Sequence, residues 1–418
     1  MMSTRFVRGP AFAALLLSAL FGSATLRGAD WPQWRGPQRD GISREAGLAP
    51  TWPADGPKLL WKTAGLGEGF STPSLSGGTL LTMGNVDGRE CVVAIDVRST
   101  PKPLWSTPIG PVRHTGSGYP GPRSTPTVDL GKVFALGLNG DLVCLDLKTG
   151  KPLWRRDLVA DFGGRIPTWG YCESPLVDGP WVLVTPGGAQ ATLAALLKSS
   201  GKPVWGAAIG DGAGYASIVK AEFGRTKQYV QFTARGVVGV EAKGGAPLWR
   251  YDAPANGTAN ISTPLPLKDG VFAASGYGTG GGAARIVRQG ASFQATEQFF
   301  TKEMINHHGG MVVLDGCVYG SSDPGILTCI DLATGTTKWR ERDPGKCSLV
   351  AVDGHLVTRS ERGTVCLVKV SPAGCEITGR FEQPERSDKP AWPHPVVSEG
   401  KLYLRDQDAL WCYDLRTP

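Results

Sequence analysis

Most of the signatures that announce a chemistry are missing from this chain. Its 418 residues hold no run of lysine or arginine, and a net charge of +7 is modest for that length. The basic footprint of a nucleic-acid binder is therefore absent. After residue 30 no stretch is apolar enough for a membrane helix, so no span is expected. Histidine is scarce, at five residues. None of the nine cysteines adjoins another or stands in CxxC or CxxCH spacing, which removes those zinc, redox and covalent-haem patterns. No Ser-His-Asp or paired-carboxylate arrangement can be picked out either.

Glycine and proline are abundant, at 58 and 32 residues, as in a chain that turns every few residues. The first residues read as a secretory signal: Arg5 and Arg8 precede the apolar stretch from Ala11 to Phe21, which is too short to cross a bilayer. Cleavage is expected after Ala24 or Ala29. No cysteine precedes Cys91, so no lipid-attachment site lies near the signal. The expectation is a soluble exported protein, periplasmic rather than released, with a signal peptide at 1–29 and a Pro/Trp-rich segment at 30–58.

From residue 59 onward a hairpin recurs. Asp146-Leu-Lys-Thr149-Gly150-Lys-Pro-Leu-Trp154 reappears as Asp331 to Trp339, and Glu241 to Trp249 keeps the spacing. Leu197…Gly201…Trp205 loses the acid, and Asp96…Trp105 carries one extra residue. Each unit opens on Ser or Thr, often before Pro, as in Ser71-Thr-Pro73 and Ser124-Thr-Pro126. Two short strands, a tight turn such as Asn139-Gly140-Asp141 and two more strands follow. Four strands per unit of roughly 45 residues match a propeller blade. Eight units are counted, starting near Ser71, Ser124, Glu173, Ala216, Ser262, His308, Cys347 and Pro395. The last stops where its fourth strand should begin, and Leu59-Leu60-Trp61-Lys62 looks like the missing strand. The predicted fold is all-β, an eight-bladed β-propeller over 59–418, its ring closed by residues 59–65. Blades five and seven lack the tryptophan and offer only Phe293 to Phe300 and Ile377 to Phe381.

Trp61, Trp105, Trp154, Trp205, Trp249 and Trp339 are assigned to blade docking, since no single ligand reaches so many interfaces. Cys144, Cys329, Cys366 and Cys412 share one position on four blades and read as small buried hydrophobes. Cys317 and Cys329 are expected on opposite faces of their hairpin. A bridge, if one forms, is expected among Cys347, Cys375, Cys172 and Cys91.

The Asp-x-x-Thr-Gly-x-x-x-Trp hairpins resemble the PQQ-like propeller superfamily, which includes quinoprotein alcohol dehydrogenases and BamB-like envelope proteins. Asp30-Trp-Pro-Gln-Trp-Arg-Gly-Pro37 resembles the mature start of exported PQQ-repeat proteins. The resemblance implies PQQ with calcium as a cofactor in one branch and envelope-protein partners in the other. The chain departs from both branches. The dehydrogenases use adjacent cysteines, and BamB a lipidated cysteine after its signal.

Candidate ligand residues lie in the blade links and second-to-third strand turns, which share the channel mouth. His307 and His308 offer two imidazoles for metal or proton transfer, although adjacent side chains on extended chain diverge. Arg123 is suited to a carboxylate, phosphate or quinone oxygen, or to an ion pair with Glu173 or Asp408. Trp169 and Tyr171 offer stacking surfaces, Asn260 an orienting amide, and His394 and Arg405 further polar groups. Asp406 and Asp408 offer calcium oxygens or a base, or turn caps.

Three functions stay open. The preferred one is an envelope binding or scaffold module taking a small molecule, glycan or peptide. The others are a PQQ-dependent dehydrogenase of alcohols or sugars and a hydrolase or lyase on a propeller platform.

Overall fold

The computed structural model describes Met1 and residues 30–416, apart from Ser117 and Ala291. The expected signal peptide and its cleavage sites fall on residues 2–29 and lie outside the described residues, as does Thr417 of the last turn.

Eight antiparallel sheets form the ring, four-stranded but for one parallel addition to blade seven. Their innermost strands are Ser74–Ser76, Thr127–Asp129, Leu176–Asp178, Val219–Phe223, Leu265–Leu267, Met311–Leu314, Cys347–Val352 and Val396–Ser398. Leu59–Thr63 supplies the outer strand of blade eight against Ala409–Asp414, with Trp61 opposite Cys412 and Lys62 opposite Trp411. The two ends of the propeller thus share one sheet, which closes the ring. The one helix among the described residues, Leu158–Phe162, is capped by Asp157.

The opening Ser and Thr residues stitch neighbouring blades together. Ser74 Oγ donates to the Pro126 carbonyl at 2.7 Å and Thr127 Oγ1 to that of Pro175 at 2.6 Å. The Ser217 hydroxyl accepts from Ser174 N at 2.9 Å. Farther out, three of the tryptophans lie over the turn glycine of the next blade. A Cβ on Gly150 would meet Trp105 at 2.5 Å, one on Gly201 Trp154 at 2.7 Å, and one on Gly245 Trp205 at 2.4 Å. All three glycines have positive φ, so the residue that permits the turn also makes room for the ring. The indoles of Trp105, Trp154 and Trp339 donate to carbonyls of Leu147, Lys198 and Ser371 at 3.0, 3.0 and 2.8 Å.

Blades four, five and seven solve the interface differently. Phe299 takes the tryptophan's place against Gly335. Trp249 bonds within its own blade to Gln228 at 2.6 Å, because blade five lacks the Thr-Gly turn it would cover. At blade seven Trp52 from the N-terminal segment packs on Gly379 and Phe381, and Phe381 packs on Tyr413 at 5.0 Å.

Residues 31–43 thread the central channel. Trp31 O accepts from Leu75 N in blade one, Pro32 O from Val128 N in blade two, and Gly41 O from Ala351 N in blade seven. Ile42–Ser43 runs parallel to the inner strand of blade seven. Arg39, 3% exposed, donates to carbonyls of Ser174, Pro175 and Ile218 in and before blades three and four. Trp34 donates to Thr263 Oγ1 of blade five at 2.9 Å, and Arg35 to the Met311 carbonyl of blade six. The innermost strands leave backbone groups facing the axis, and this segment satisfies them.

All nine cysteines are free, so the bridge expected among Cys347, Cys375, Cys172 and Cys91 does not form. Cys144, Cys329, Cys366 and Cys412 are buried in the inter-sheet layers. The reading of Cys317 and Cys329 is corrected. Cys329 pairs with Tyr319, two residues from Cys317, so both thiols point to the same face and join one apolar cluster.

Candidate functional site

The blade links on one side of the ring enclose a cavity of about 580 Å³. The threaded segment closes its floor with Trp34 and Arg35. Its walls are aromatic. Trp392 lies 4.8 Å from Phe70 and 4.7 Å from Tyr119, between ring centroids, and 5.6 Å from His308. The circuit continues through His307 to Tyr277 at 5.2 and 5.0 Å, and Trp169 faces Tyr215 at 5.5 Å on another wall.

Polar groups are set into this surface. Lys346 Nζ lies 3.0 Å from His307 Nδ1 and 3.0 Å from Asp323, while His307 Nε2 lies 3.1 Å from the Tyr277 hydroxyl. Glu361 accepts from the Trp392 indole at 2.9 Å and lies 3.5 Å from His308 Nε2. Burial, helped by the Lys346 charge, lowers the His307 pKa to about 4. Burial and its histidine and lysine neighbours push His308 well below the ordinary value. His394, buried beside Arg35, falls to about 3. At neutral pH these imidazoles are uncharged hydrogen-bonding groups.

Of the residues picked from sequence, Arg123, Trp169, His307, His308 and His394 line the cavity. His307 and His308 do not diverge, because the chain bends at His308-Gly309 and both rings reach the same wall. Arg123 pairs with neither Glu173 nor Asp408. Its guanidinium donates to the carbonyls of Tyr119, Gly121 and Trp169 and lies over Phe70, bracing two links across the mouth.

The other six are placed elsewhere. Tyr171 is buried, donating to the Pro186 carbonyl at 2.8 Å. Glu173 accepts from Thr185 and Gln231 inside the ring. Asn260 donates to carbonyls of Thr233 and Ala234. Arg405 is fully buried against Ser71, Thr82, Met83, Gly67 and Gln407. Asp406 holds Ser387 and Arg386, and Asp408 caps the amides of Gly65 and Gly67. Each of these side chains is held by partners within the blades and links rather than turned into the cavity.

Sequence reading missed Trp34, Arg35, Phe70, Tyr277, Lys346 and Glu361. Tyr277 and Glu361 sit in second-to-third strand turns, the position already recognised at Asn139-Gly140, and could have been found there. Trp34 and Arg35 belong to no repeat and carried no such signal.

The calcium that accompanies PQQ takes about six to eight oxygen ligands. Among the described residues no three His, Cys, Asp or Glu side chains gather to hold a metal, and the one carboxylate lining the cavity is Glu361. These residues do not fit a calcium-bound quinone.

Fold and site together define a PQQ-repeat propeller with a blind, aromatic-walled cavity. Residues 89–341 match the family model described as outer membrane protein assembly factor BamB, and the chain belongs to that family. The outer membrane protein assembly factor BamB of Yersinia pestis is 24% identical over 333 residues, which is 75% of this chain and 78% of that protein. BamB from Moraxella catarrhalis superposes with a TM-score of 0.61 at 16% identity, covering 86% of this chain and 99% of that one. A europium-containing methanol dehydrogenase gives 0.66 at 13% identity, covering 90% and 89%. The quinohemoprotein alcohol dehydrogenase of Comamonas testosteroni gives 0.66 at 12%, covering 93% and 81%. At such identities these superpositions speak for the fold alone. Among the described residues no helix is long and apolar enough to cross a membrane.

Proposed function

We propose that this chain is an exported binding module of the cell envelope, acting in the periplasm, with its ligand site in the cavity floored by Trp34 and Arg35. The ligand is a small molecule, glycan or peptide, and the outer face of the ring is left to envelope-protein partners such as the relatives' name suggests. One observation carries the reading. Most of the mouth is walled by aromatic side chains around a few convergent polar groups, within the ~300–1,000 Å³ typical of small-ligand sites. A structural loop cluster would bury those rings against one another rather than around open volume.

The test is a tryptophan-fluorescence and thermal-shift screen of glycans, peptides and small metabolites on the native chain and on Trp392→Ala. Saturable binding weakened about tenfold or more by Trp392→Ala is expected. Ligands that bind both proteins equally would place the site elsewhere and defeat the reading.

A further inference from the structure

The chemistry of the ligand can be narrowed from the cavity's floor, an inference that rests on the cavity being a ligand site. Arg35 is 3% exposed and lines the cavity beside Gly310 and His394. Its Nη2 donates to the carbonyls of Asp40 and Met311, but its buried Nε and Nη1 have no acceptor among the described residues. The Asp40 carboxylate is engaged 2.6 Å away by Arg44. A buried guanidinium with unmet donors is expensive to leave so, and an oxyanion is its natural complement.

The walls restrict what carries that oxyanion. Phe70 and Tyr119 lie at 42° and 46° to Trp392 and at 68° to each other, and His308 lies at 60° to Trp392. None of these contacting rings is stacked parallel on its neighbour. One exposed ring face with polar groups at its edge suits a pyranose, whose axial C–H bonds meet the ring while hydroxyls meet His307, His308 and the Glu361 carboxylate. Glu361 also repels a second carboxylate, and Lys346 is already flanked by Asp323 at 3.0 Å and Glu361 at 3.9 Å.

We propose that the ligand is an acidic sugar, a hexuronate residue of a glycan whose carboxylate seats on Arg35 while the ring face lies on Trp392.

The experiment titrates the full chain calorimetrically with trimers of galacturonate and glucuronate, their carboxyl-reduced neutral counterparts, and PQQ with calcium. A uronate trimer is expected to bind with one-to-one stoichiometry and at least tenfold tighter than its neutral counterpart. Arg35→Gln should erase that difference, with melting temperature reporting its fold. Should Arg35→Gln not fold, the acid-against-neutral comparison on the native chain decides alone. Equal binding of acid and neutral trimers overturns the inference while leaving the cavity reading intact. Tight uptake of PQQ without uronate binding overturns it in favour of a quinone. Binding of no uronate overturns it outright, and the cavity reading then stands or falls on the wider screen.

Discussion

Replacing Arg39 by alanine tests whether the threaded segment is part of the fold or only rests in the channel. The guanidinium holds four acceptors, the carbonyls of Ser174, Pro175 and Ile218 and the amide oxygen of Gln33. Burial lowers its pKa to about 9, so it stays charged at neutral pH. A hydrogen bond to a charged group is worth roughly 1.5–3 kcal/mol, and four taken at face value would give about 6–12. The sum overstates the loss, because a loosened segment admits water to the three carbonyls. The expected cost is about 3 kcal/mol, near the lower end for breaking a buried charged network. At about 2.1 cal/mol/K per residue, residues 30–416 carry an unfolding entropy of roughly 0.8 kcal/mol/K. The melting temperature should then fall by about 4 °C. Urea titration would show a lower midpoint, and limited proteolysis would cut within residues 31–43. A melting temperature within about 1 °C of the parent, with those residues still protected, would refute the argument.

Gly201→Ala should cost about 2–3 kcal/mol in urea unfolding, since φ is +68° and its Cβ would lie 2.7 Å from Trp154. Gly131→Ala has comparable φ and open space, so it should cost about 1 kcal/mol; equal losses would discredit the docking role. Lowering pH from about 6.5 should destabilise the protein, because the unfolded chain protonates histidines that His307, His308 and His394 keep neutral in the fold. His307→Gln should flatten that acid limb of melting temperature against pH. Glu90 and Glu173 act oppositely. Burial raises them to about 8 and 7, so the stability they contribute is complete below about pH 4.5 and lost as pH rises through those values. Glu173→Gln should shrink the alkaline loss, and an unchanged slope would count against the burial argument.

The tryptophan repeat was legible because it is a packing rule applied many times over. Trp105, Trp154 and Trp205 each need a glycine opposite, and the Thr-Gly turn supplies it at a constant offset. Where the rule lapses, the substitutes were only partly visible. Phe299 could be guessed at blade five, but nothing local ties Trp52 to Gly379 and Phe381. Among candidate ligand residues the position in the blade was readable and the direction of the side chain was not. Glu173 and Cys172 are adjacent, yet Cys172 lines the cavity while Glu173 turns inward to Thr185 and Gln231.

The amino-acid sequence by itself determined the eightfold architecture and its closure through Trp61, since both follow from a pattern repeated along the chain and interrupted at its ends. Only the tertiary structure decided that residues 31–43 fill the axis and that Trp34, Arg35, Tyr277 and Glu361 meet in one cavity. Contacts such as Arg35 with Met311 are made once, between residues 276 positions apart. A contact made once leaves no periodicity to read, and it exists only after the ring has closed around it.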